Sequence, residues 1–203
     1  MTTDITEFAI PSGKLYLSAV IDCFDGKVAG WTTGTRPNAD MVNAMLNQVI
    51  ADLPEGCHPI VHSDRGCHYR WPGWIDRMNG AGLIRSMSKK GCSPDNAACE
   101  GFFGRLKNEM FYGRSWEKVS LDDFRQEIDR YINWYNHKRI KLSLGGLSPI
   151  AKLDKVFSLE DMQFNSSGCK GECWDCDSCG GSGVRTKSWT MPIGRVFVYT
   201  PAD

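Results

Sequence analysis

The sequence predicts an α/β fold in which a mixed five-stranded sheet is covered by helices on both faces. Three observations support this prediction. The chain has 203 residues and a hydrophobic fraction of 41%, which is enough to bury a core. Strand-like runs occupy its start, and helical and strand-like segments alternate after them. Acidic residues stand in or near several of these segments, which is typical of a site assembled from separate elements.

The first three strands are predicted near the N-terminus. A strand-like run surrounds Asp4, and residues 15–22 (LYLSAVID) have the apolar content of a buried strand. The pair Asp25-Gly26 is a strong hairpin turn signal. Residues 27–33 are therefore predicted to return as the third strand.

Helices and strands then alternate along the chain. Asn38 or Asp40 is expected to cap a helix, because apolar residues follow at helical spacing up to position 50. Residues 58–63 are predicted as the fourth strand. A helix over 71–79 and a short fifth strand over 82–86 follow.

Two longer helices are predicted next, over 96–111 and 121–137, from apolar stripes of helical period. Beyond them the composition changes, and residues 168–183 are rich in Gly, Ser, Cys and Asp without any period. We therefore predict a core over residues 1–155 and an irregular tail over 156–203, disordered in part.

Three acids are the candidate catalytic residues. Asp64 closes a short apolar run, Glu100 lies in a predicted helix, and Asp4 lies in the first strand. Carboxylates that converge repel one another unless a divalent cation is present, and hard oxygen ligands suit Mg²⁺ or Mn²⁺. Two such ions about 4 Å apart can drive phosphoryl transfer on DNA. Asp22, at the end of the second strand, is a reserve candidate.

The charge pattern leaves two interpretations open. The formal net charge is zero, but acids prevail before residue 62 and bases prevail over 85–141. A local basic surface that includes Arg105 and Lys107 can engage phosphates. The alternative is an ordinary solvated helix face.

Four segments together identify a resemblance. They are residues 3–6 (TDIT), 62–66 (HSDRG), 95–107 (DNAACEGFFGRLK), and 131–136 (YINWYN) with Arg139, Leu144-Gly145 and Ser148-Pro149. In these segments the chain resembles the integrase-like catalytic core of bacterial insertion-sequence transposases. That family belongs to the DDE superfamily together with retroviral integrases. The resemblance covers residues 1 to about 153.

The resemblance implies a ribonuclease-H-like fold and a DNA transposase catalytic domain. It implies two Mg²⁺ (or Mn²⁺) ions held by Asp4, Asp64 and Glu100. It also implies cleavage at the ends of an insertion element by water, followed by strand transfer from the freed 3′ hydroxyl. Two alternatives remain open: a ribonuclease-H-like nuclease that does not join DNA, and an inactive transposase remnant.

The same resemblance implies double-stranded DNA, both element ends and target, as the partner, and a homo-oligomer on that DNA. Lys107 is the expected DNA contact, and we expect Arg105 and Arg139 to bind DNA as well. Two positions depart from the family pattern, where Gly101 replaces a common serine and Lys141 replaces a common histidine.

The position of the first acid leads to a further expectation. Such transposases normally carry an upstream helix-turn-helix region that recognises element ends, whereas Asp4 is the fourth residue here. We therefore expect a truncated chain that does not transpose unaided. No signal peptide and no membrane-length apolar run are visible in the sequence, so we expect a cytoplasmic, nucleoid-associated protein.

Four cysteines form a cluster in the tail: Cys169, Cys173, Cys176 and Cys179. Thiolates at this spacing can bind Zn²⁺ or an iron–sulfur cluster. The spacing is too crowded for a usual zinc ribbon. A fortuitous tail without metal is the alternative. The remaining cysteines are scattered, and we expect reduced thiols there.

Overall fold

The computed structural model describes residues 1–88, 96–157, 187–190 and 196–199. At its centre lies a five-stranded sheet, which confirms the predicted architecture. The strands are β1 (Thr2–Ile10), β2 (Gly13–Ile21), β3 (Val28–Gly34), β4 (Ile60–Ser63) and β5 (Ile84–Met87). Their order across the sheet is β3-β2-β1-β4-β5. β1, β2 and β3 pair antiparallel, whereas β4 is parallel to both β1 and β5.

Five α-helices accompany the sheet in the described part of the chain: α1 (Ala39–Ala51), α2 (Pro72–Gly80), α3 (Ala97–Leu106), α4 (Leu121–His137) and α5 (Pro149–Phe157). A π-helical turn, Lys107–Phe111, extends α3. None of the helices in the described ranges is long and apolar enough to cross a membrane.

The helix starts show why these segments are helical. Asn38, one of the two expected caps, accepts a hydrogen bond from the backbone N–H of Met41. Ser120 caps α4 in the same way. These side chains satisfy backbone donors that have no partner inside the helix. α5 was not predicted, although Pro149 at its start and the Ser148 hydroxyl that accepts from Ala151 N–H are both start signals.

The described residues of the tail add one element that the sequence did not predict. β6 (Lys187–Thr190) and β7 (Val196–Tyr199) pair antiparallel in a separate two-stranded sheet. The tail is therefore not irregular throughout. The four clustered cysteines lie outside the described residues.

One face of the central sheet is covered by α1 and α2. Their buried side chains form a core with strand residues, consisting of Val20, Val42, Met45, Leu46, Val49, Val61, Tyr69, Trp74, Met78 and Leu83. α1 lies so close to β3 that a Cβ atom added at Gly30 would stand only 2.6 Å from Cγ2 of Val49. The lack of a side chain at Gly30 permits this approach.

The opposite face is covered by α3 and α4, and its core is larger. It joins apolar residues of β1 and β2 to aromatic side chains of the two helices, among them Phe8, Leu15, Leu17, Phe102, Phe124, Ile128 and Tyr135. The rings of Phe102 and Tyr135 meet edge to face with centroids 5.0 Å apart. This packing fixes α3 against the sheet.

The edge strand β3 is completed by a side chain from α4. The buried Asn136 accepts a hydrogen bond from Val28 N–H and donates one to Val28 C=O, both at 2.9 Å. Its amide thus takes the place of a neighbouring strand at that residue. The adjoining turn contains Gly26 at φ +69°, a conformation that favours glycine.

We predict that Asn136→Ala lowers the free energy of unfolding by about 1–3 kcal/mol, because it leaves two buried backbone groups of Val28 without partners. Urea denaturation followed by circular dichroism would measure the change. Asn133→Ala is the matched control, since Asn133 is exposed on the same helix. A loss at position 136 no larger than at 133 would contradict the assigned role.

Candidate functional site

The parallel pairing of β1 with β4 brings two of the three candidate acids together. Thr2 pairs with His62 and Thr3 pairs with Ser63. In each of these two segments the next residue is an aspartate: Asp4 within β1 and Asp64 just after β4. Because the strands run in the same direction, these two carboxylates emerge beside each other. This adjacency follows from the register and concerns two of the three candidate acids.

Hydrogen bonds orient both aspartates. Oδ1 of Asp4 accepts from Ile5 N–H at 2.7 Å, and Oδ2 accepts from Nδ2 of Asn96 at 2.8 Å. Oδ1 of Asp64 accepts from Gly66 N–H at 2.8 Å in a tight turn. Each oxygen named here has lone-pair capacity beyond this one bond. Both side chains are therefore held in place and still able to bind a further group.

Glu100 is contributed by a helix and not by the sheet. It lies in the first turn of α3 and is exposed to solvent. Burial raises the pKa of Asp4 above its ordinary value, and the charges of Asp64 and Glu100 raise it further. The hydrogen bonds from Ile5 and Asn96 act in the opposite direction. All three predicted acids thus interact electrostatically at Asp4.

A chain of hydrogen bonds that the sequence did not reveal ties α3 to β1. The buried Cys99 thiol lies 3.8 Å from Oγ1 of Thr2, which donates at 2.5 Å to Oδ1 of Asn96. Burial raises the pKa of the Cys99 thiol to about 12, so it remains a protonated donor at neutral pH. Asn96 precedes Glu100 by four residues, a spacing that puts both residues on one side of the helix. That pattern alone did not disclose its bond to Asp4.

A cavity of about 290 Å³ lies beside the two aspartates. Besides Asp4 and Asp64 it is lined by Tyr16, His68 and Tyr69, among others. Tyr69 is 2% exposed and belongs to the core on the α1 side of the sheet. Glu100 does not line this space, so the third acid reaches Asp4 from outside the cavity.

The donor set suits a hard divalent cation, although the acids do not form a preassembled metal site. Within the described residues, no three His, Cys, Asp or Glu side chains are grouped closely enough to hold a metal ion. Carboxylate oxygens are the ligands that Mg²⁺ and Mn²⁺ prefer. The mutual repulsion felt at Asp4 is of the kind that a bound cation relieves. The residues present therefore fit such an ion.

Two of the predicted DNA contacts lie at the end of α3. Lys107 is the first residue of the π-helical turn, and its Nζ lies 5.4 Å from the ring centroid of Phe8. Arg105 is exposed in the last turn of the helix. The seven-residue offset from Glu100 puts Lys107 on the side of α3 that carries this acid, whereas Arg105 lies on a different face of the helix, where its side chain interacts with Tyr135. Their contact with DNA stays a prediction.

Arg139 has a partner inside the protein. Its Nε and Nη2 atoms bond both carboxylate oxygens of Glu109 at 2.5–3.1 Å, and Tyr131 donates to the same carboxylate at 2.8 Å. The side chain of Arg139 is only 22% exposed. Such a bidentate pair fixes the segment after α4 against the end of α3. The DNA-binding role expected for Arg139 stays a prediction beside this structural one.

His62, from the second motif, and Asp22, the reserve candidate, have structural partners. The ring nitrogens of His62 lie 2.9 and 3.0 Å from the hydroxyls of Ser86 and Ser88, which links β4 to β5 and to the residue just after that strand. Asp22, the reserve candidate, accepts a hydrogen bond from Phe24 N–H in the turn between β2 and β3. These contacts explain both residues without any catalytic role.

Lys141, which departs from the family pattern, closes the C-terminal segment onto the β2–β3 turn. Its Nζ donates to the carbonyls of Asp25 and Gly26 at 2.9 and 3.2 Å and lies 4.7 Å from the ring centroid of Tyr135. Burial lowers the pKa of this amine to about 8. The positive charges of Arg105 and Arg139 lower it further, against the attraction of Asp25.

Comparison with known proteins gives a consistent result. Two family models, each described as an integrase core domain, match residues 1–93 and residues 100–151. Together they include Asp4, Asp64 and Glu100. The segment between them, 94–99, contains Asn96. The matched ranges therefore coincide with the central sheet and the helices α1 to α4.

Individual relatives carry transposase names. The chain is 62% identical to the probable transposase for insertion sequence element IS1353 of Shigella flexneri, and the match covers 73% of this chain and 29% of that protein. It is 42% identical to an uncharacterized transposase-like protein of Haemophilus influenzae, covering 73% of this chain and 68% of the relative. The chain thus spans less than a third of the first relative's length.

The fold is also found among solved structures. The catalytic core domain of HTLV-2 integrase, determined in complex with magnesium in its dimeric form, superposes with a TM-score of 0.55. The sequence identity is 16%, and the match covers 73% of this chain and 91% of that one. At this identity the likeness concerns the fold alone, which is ribonuclease-H-like.

The buried amine of Lys141 generates a pH prediction. Its pKa is about 8 in the folded protein and near the ordinary 10.5 when unfolded. Between these values the unfolded chain binds more protons than the folded one, so stability contributed by this group rises with pH. We expect the unfolding free energy of wild type, relative to Lys141→Met, to increase from pH 8 to pH 10.

Urea denaturation at a series of pH values measures this difference. Lys138→Met is the matched control, because Lys138 is exposed nearby, and it should keep the wild-type profile. A difference between wild type and Lys141→Met that stays constant across the window would contradict the prediction.

Proposed function

The chain belongs to the integrase-core family of insertion-sequence transposases, and from that premise we propose that Asp4, Asp64 and Glu100 carry its phosphoryl-transfer chemistry. Membership of this family supports polynucleotidyl transferase activity. Assignment of the three acids as the DDE residues is our own inference. It is supported by the β1–β4 register and by the charge of Glu100 acting on Asp4.

One observation carries the proposal above all others. Two strands distant in sequence end their pairing so that Asp4 and Asp64 stand side by side, and the helix that bears Glu100 is bonded to Asp4 through Asn96. A purely structural role would not require Asp4 and Asp64 to stand side by side, with the start of the helix that carries Glu100 bonded to one of them. Their mutual repulsion costs stability, and such a cost is typical of functional sites.

The proposed reaction has two steps. Water attacks a phosphodiester at the element end, a new P–O bond forms on the 5′ phosphate, and the 3′ oxygen leaves as a hydroxyl. That 3′ hydroxyl then attacks a phosphodiester of target DNA, joining to its phosphorus while the target's 3′ oxygen leaves. Each step needs an activated nucleophile and a stabilised leaving oxygen.

The three carboxylates are the residues that would hold Mg²⁺ or Mn²⁺ in this reaction. When bound, such ions supply Lewis-acid activation of the attacking oxygen and neutralise charge on the leaving oxygen. Asp4 and Asp64 are oriented by backbone N–H donors before any substrate arrives. Glu100 is exposed on its helix, so its carboxylate adjusts its position at little cost.

We propose that Lys107 binds a phosphate next to the reacting bond. It follows Glu100 by two helical turns, and its Nζ lies over the ring of Phe8, 5.4 Å from the centroid. An ammonium held over an aromatic ring keeps its charge and loses some of its mobility. This side chain would fix the register of the DNA backbone and would not read its sequence.

The partners of the chain follow from the same proposal. Double-stranded DNA, both element ends and target, is the substrate, and a homo-oligomer on that DNA is the proposed assembly. Because the chain matches only part of the length of its relatives, recognition of element ends is proposed for a region outside the matched segment. Catalysis of joining is proposed for the core.

We predict that Glu100→Gln reduces Mg²⁺-dependent joining by at least about a hundredfold, because it removes one charged ligand worth several kcal/mol. The assay uses a branched oligonucleotide with a 3′ hydroxyl beside a phosphodiester, so that no element end is needed. Glu117→Gln is the matched control, since Glu117 is an exposed acid remote from the site.

The products separate the alternatives. Resealed strands indicate a transferase. Hydrolysis without resealing indicates a nuclease. No product in Mg²⁺ or Mn²⁺ indicates an inactive remnant. Equal activity of wild type and Glu100→Gln would remove the proposed mechanism.

Lys107→Gln should weaken binding to duplex DNA and reduce the slope of log K against log salt by about one, as expected for loss of one phosphate contact. Fluorescence anisotropy at several salt concentrations gives both quantities. Lys118→Gln, which alters an exposed lysine in the loop before α4, should leave the slope unchanged. Identical slopes for wild type and Lys107→Gln would exclude the contact.

A further inference from the structure

We propose that Asn96 is a positioning residue that sets the orientation of Asp4 toward a divalent cation. The inference rests on the proposed function, because it concerns the same site. It adds a residue that is not itself an acid and that touches neither substrate nor metal. Its action passes through the Asp4 carboxylate, to which its Nδ2 donates at 2.8 Å.

The orientation of the Asn96 amide is determined by its other partner. The Thr2 hydroxyl donates to Oδ1 of Asn96 at 2.5 Å, so that oxygen is the acceptor and the NH₂ group faces Asp4. The Cys99 thiol completes the chain behind Thr2. Hydrogen bonds in such a chain reinforce one another in a buried setting. The donor that reaches Asp4 is therefore fixed in direction.

Asp4 is consequently held at both oxygens. Oδ1 accepts from Ile5 N–H, and Oδ2 accepts from Asn96, so the carboxylate cannot rotate without breaking a bond. Its remaining lone pairs point to fixed places. Outer partners of this kind, which hold a carboxylate ligand, typically change metal affinity by about 10- to 100-fold when they are removed.

Asn96 also links two of the acids. It stands immediately before α3 and is 7% exposed, and Glu100 follows it by one turn of that helix. A single side chain thus joins the strand of Asp4 to the helix of Glu100. Loss of this link would make the orientation of the Asp4 carboxylate and its separation from Glu100 less well defined.

A second buried asparagine in the same protein shows what a purely structural role looks like. The amide of Asn136 bonds the backbone of Val28 and none of the three acids. Asn96 instead bonds the side chains of Thr2 and Asp4. The two residues share burial and chemistry and differ in what they contact, so Asn136 is a matched control.

The experiment measures Mn²⁺ binding to the full chain without DNA, by electron paramagnetic resonance of free Mn²⁺ during titration. We expect Asn96→Ala to raise the dissociation constant by about tenfold. Asn136→Ala should leave it at the wild-type value even though the fold is weakened. Thermal unfolding of each variant confirms that it is folded at the temperature of the titration.

A gentler pair of variants keeps the test decisive if Asn96→Ala does not fold. Thr2→Val removes the hydroxyl that orients the amide at nearly constant volume, and Thr2→Ser keeps that hydroxyl. We expect weaker Mn²⁺ binding in Thr2→Val and restoration of wild-type binding in Thr2→Ser. Unchanged binding in a folded Asn96→Ala protein, or equal binding in the two Thr2 variants if it does not fold, overturns the inference.

Asp4→Asn separates this inference from the proposed function. If wild type binds Mn²⁺ and Asp4→Asn does not, the metal site stands, and the Asn96 and Thr2 variants alone decide the positioning role. If wild type and Asp4→Asn bind equally, or neither binds, the proposed metal site fails and the inference fails with it.

Discussion

The arrangement of the site depends on one interaction, the parallel pairing of β1 with β4. The two strands share only a short ladder, with Thr2 opposite His62 and Thr3 opposite Ser63. A slip of one residue would turn each side chain to the other face of the sheet and separate the aspartates that come next. The register is protected because Thr2 and Thr3 are almost fully buried, so displaced side chains would lose their packing. The backbone pairing of β1 with β4 thus determines where the carboxylates of Asp4 and Asp64 lie.

The two hydrophobic cores support the site in different ways. On the α1 and α2 face, a cavity lies beside the aspartates and is lined in part by Tyr69, which belongs to that core. On the α3 and α4 face, aromatic packing holds the helix that carries Glu100. Polar bonds then adjust the positions that the apolar layers have roughly set, since Asn96 connects Asp4 to the start of α3. Position comes from packing and orientation comes from hydrogen bonds.

Much of this arrangement is visible in the sequence, and the reasons for the exceptions are physical. Local signals such as Asp25-Gly26 and the apolar stripe of α4 depend on neighbours in the chain, so they are predictable. The pairing of Arg139 with Glu109 and the bond of Asn96 to Asp4 join distant segments, and no local pattern reports such contacts. The start signals of α5 are present in Ser148-Pro149, but these two residues are also part of a family motif and were interpreted only as that. The residue types of the site are therefore predictable, whereas their partners require the fold.

The contact between Asn136 and Val28 joins positions that are 108 residues apart. On a ribosome, the hairpin strands emerge early, while the side chain that completes the outermost strand is synthesised only near the end of the core. Until then the amide and carbonyl of Val28 remain open to water or to another chain, as at any uncovered strand edge. During this interval the edge of β3 in the nascent chain is open to pairing with a strand of another chain. The length of that period is set by translation speed.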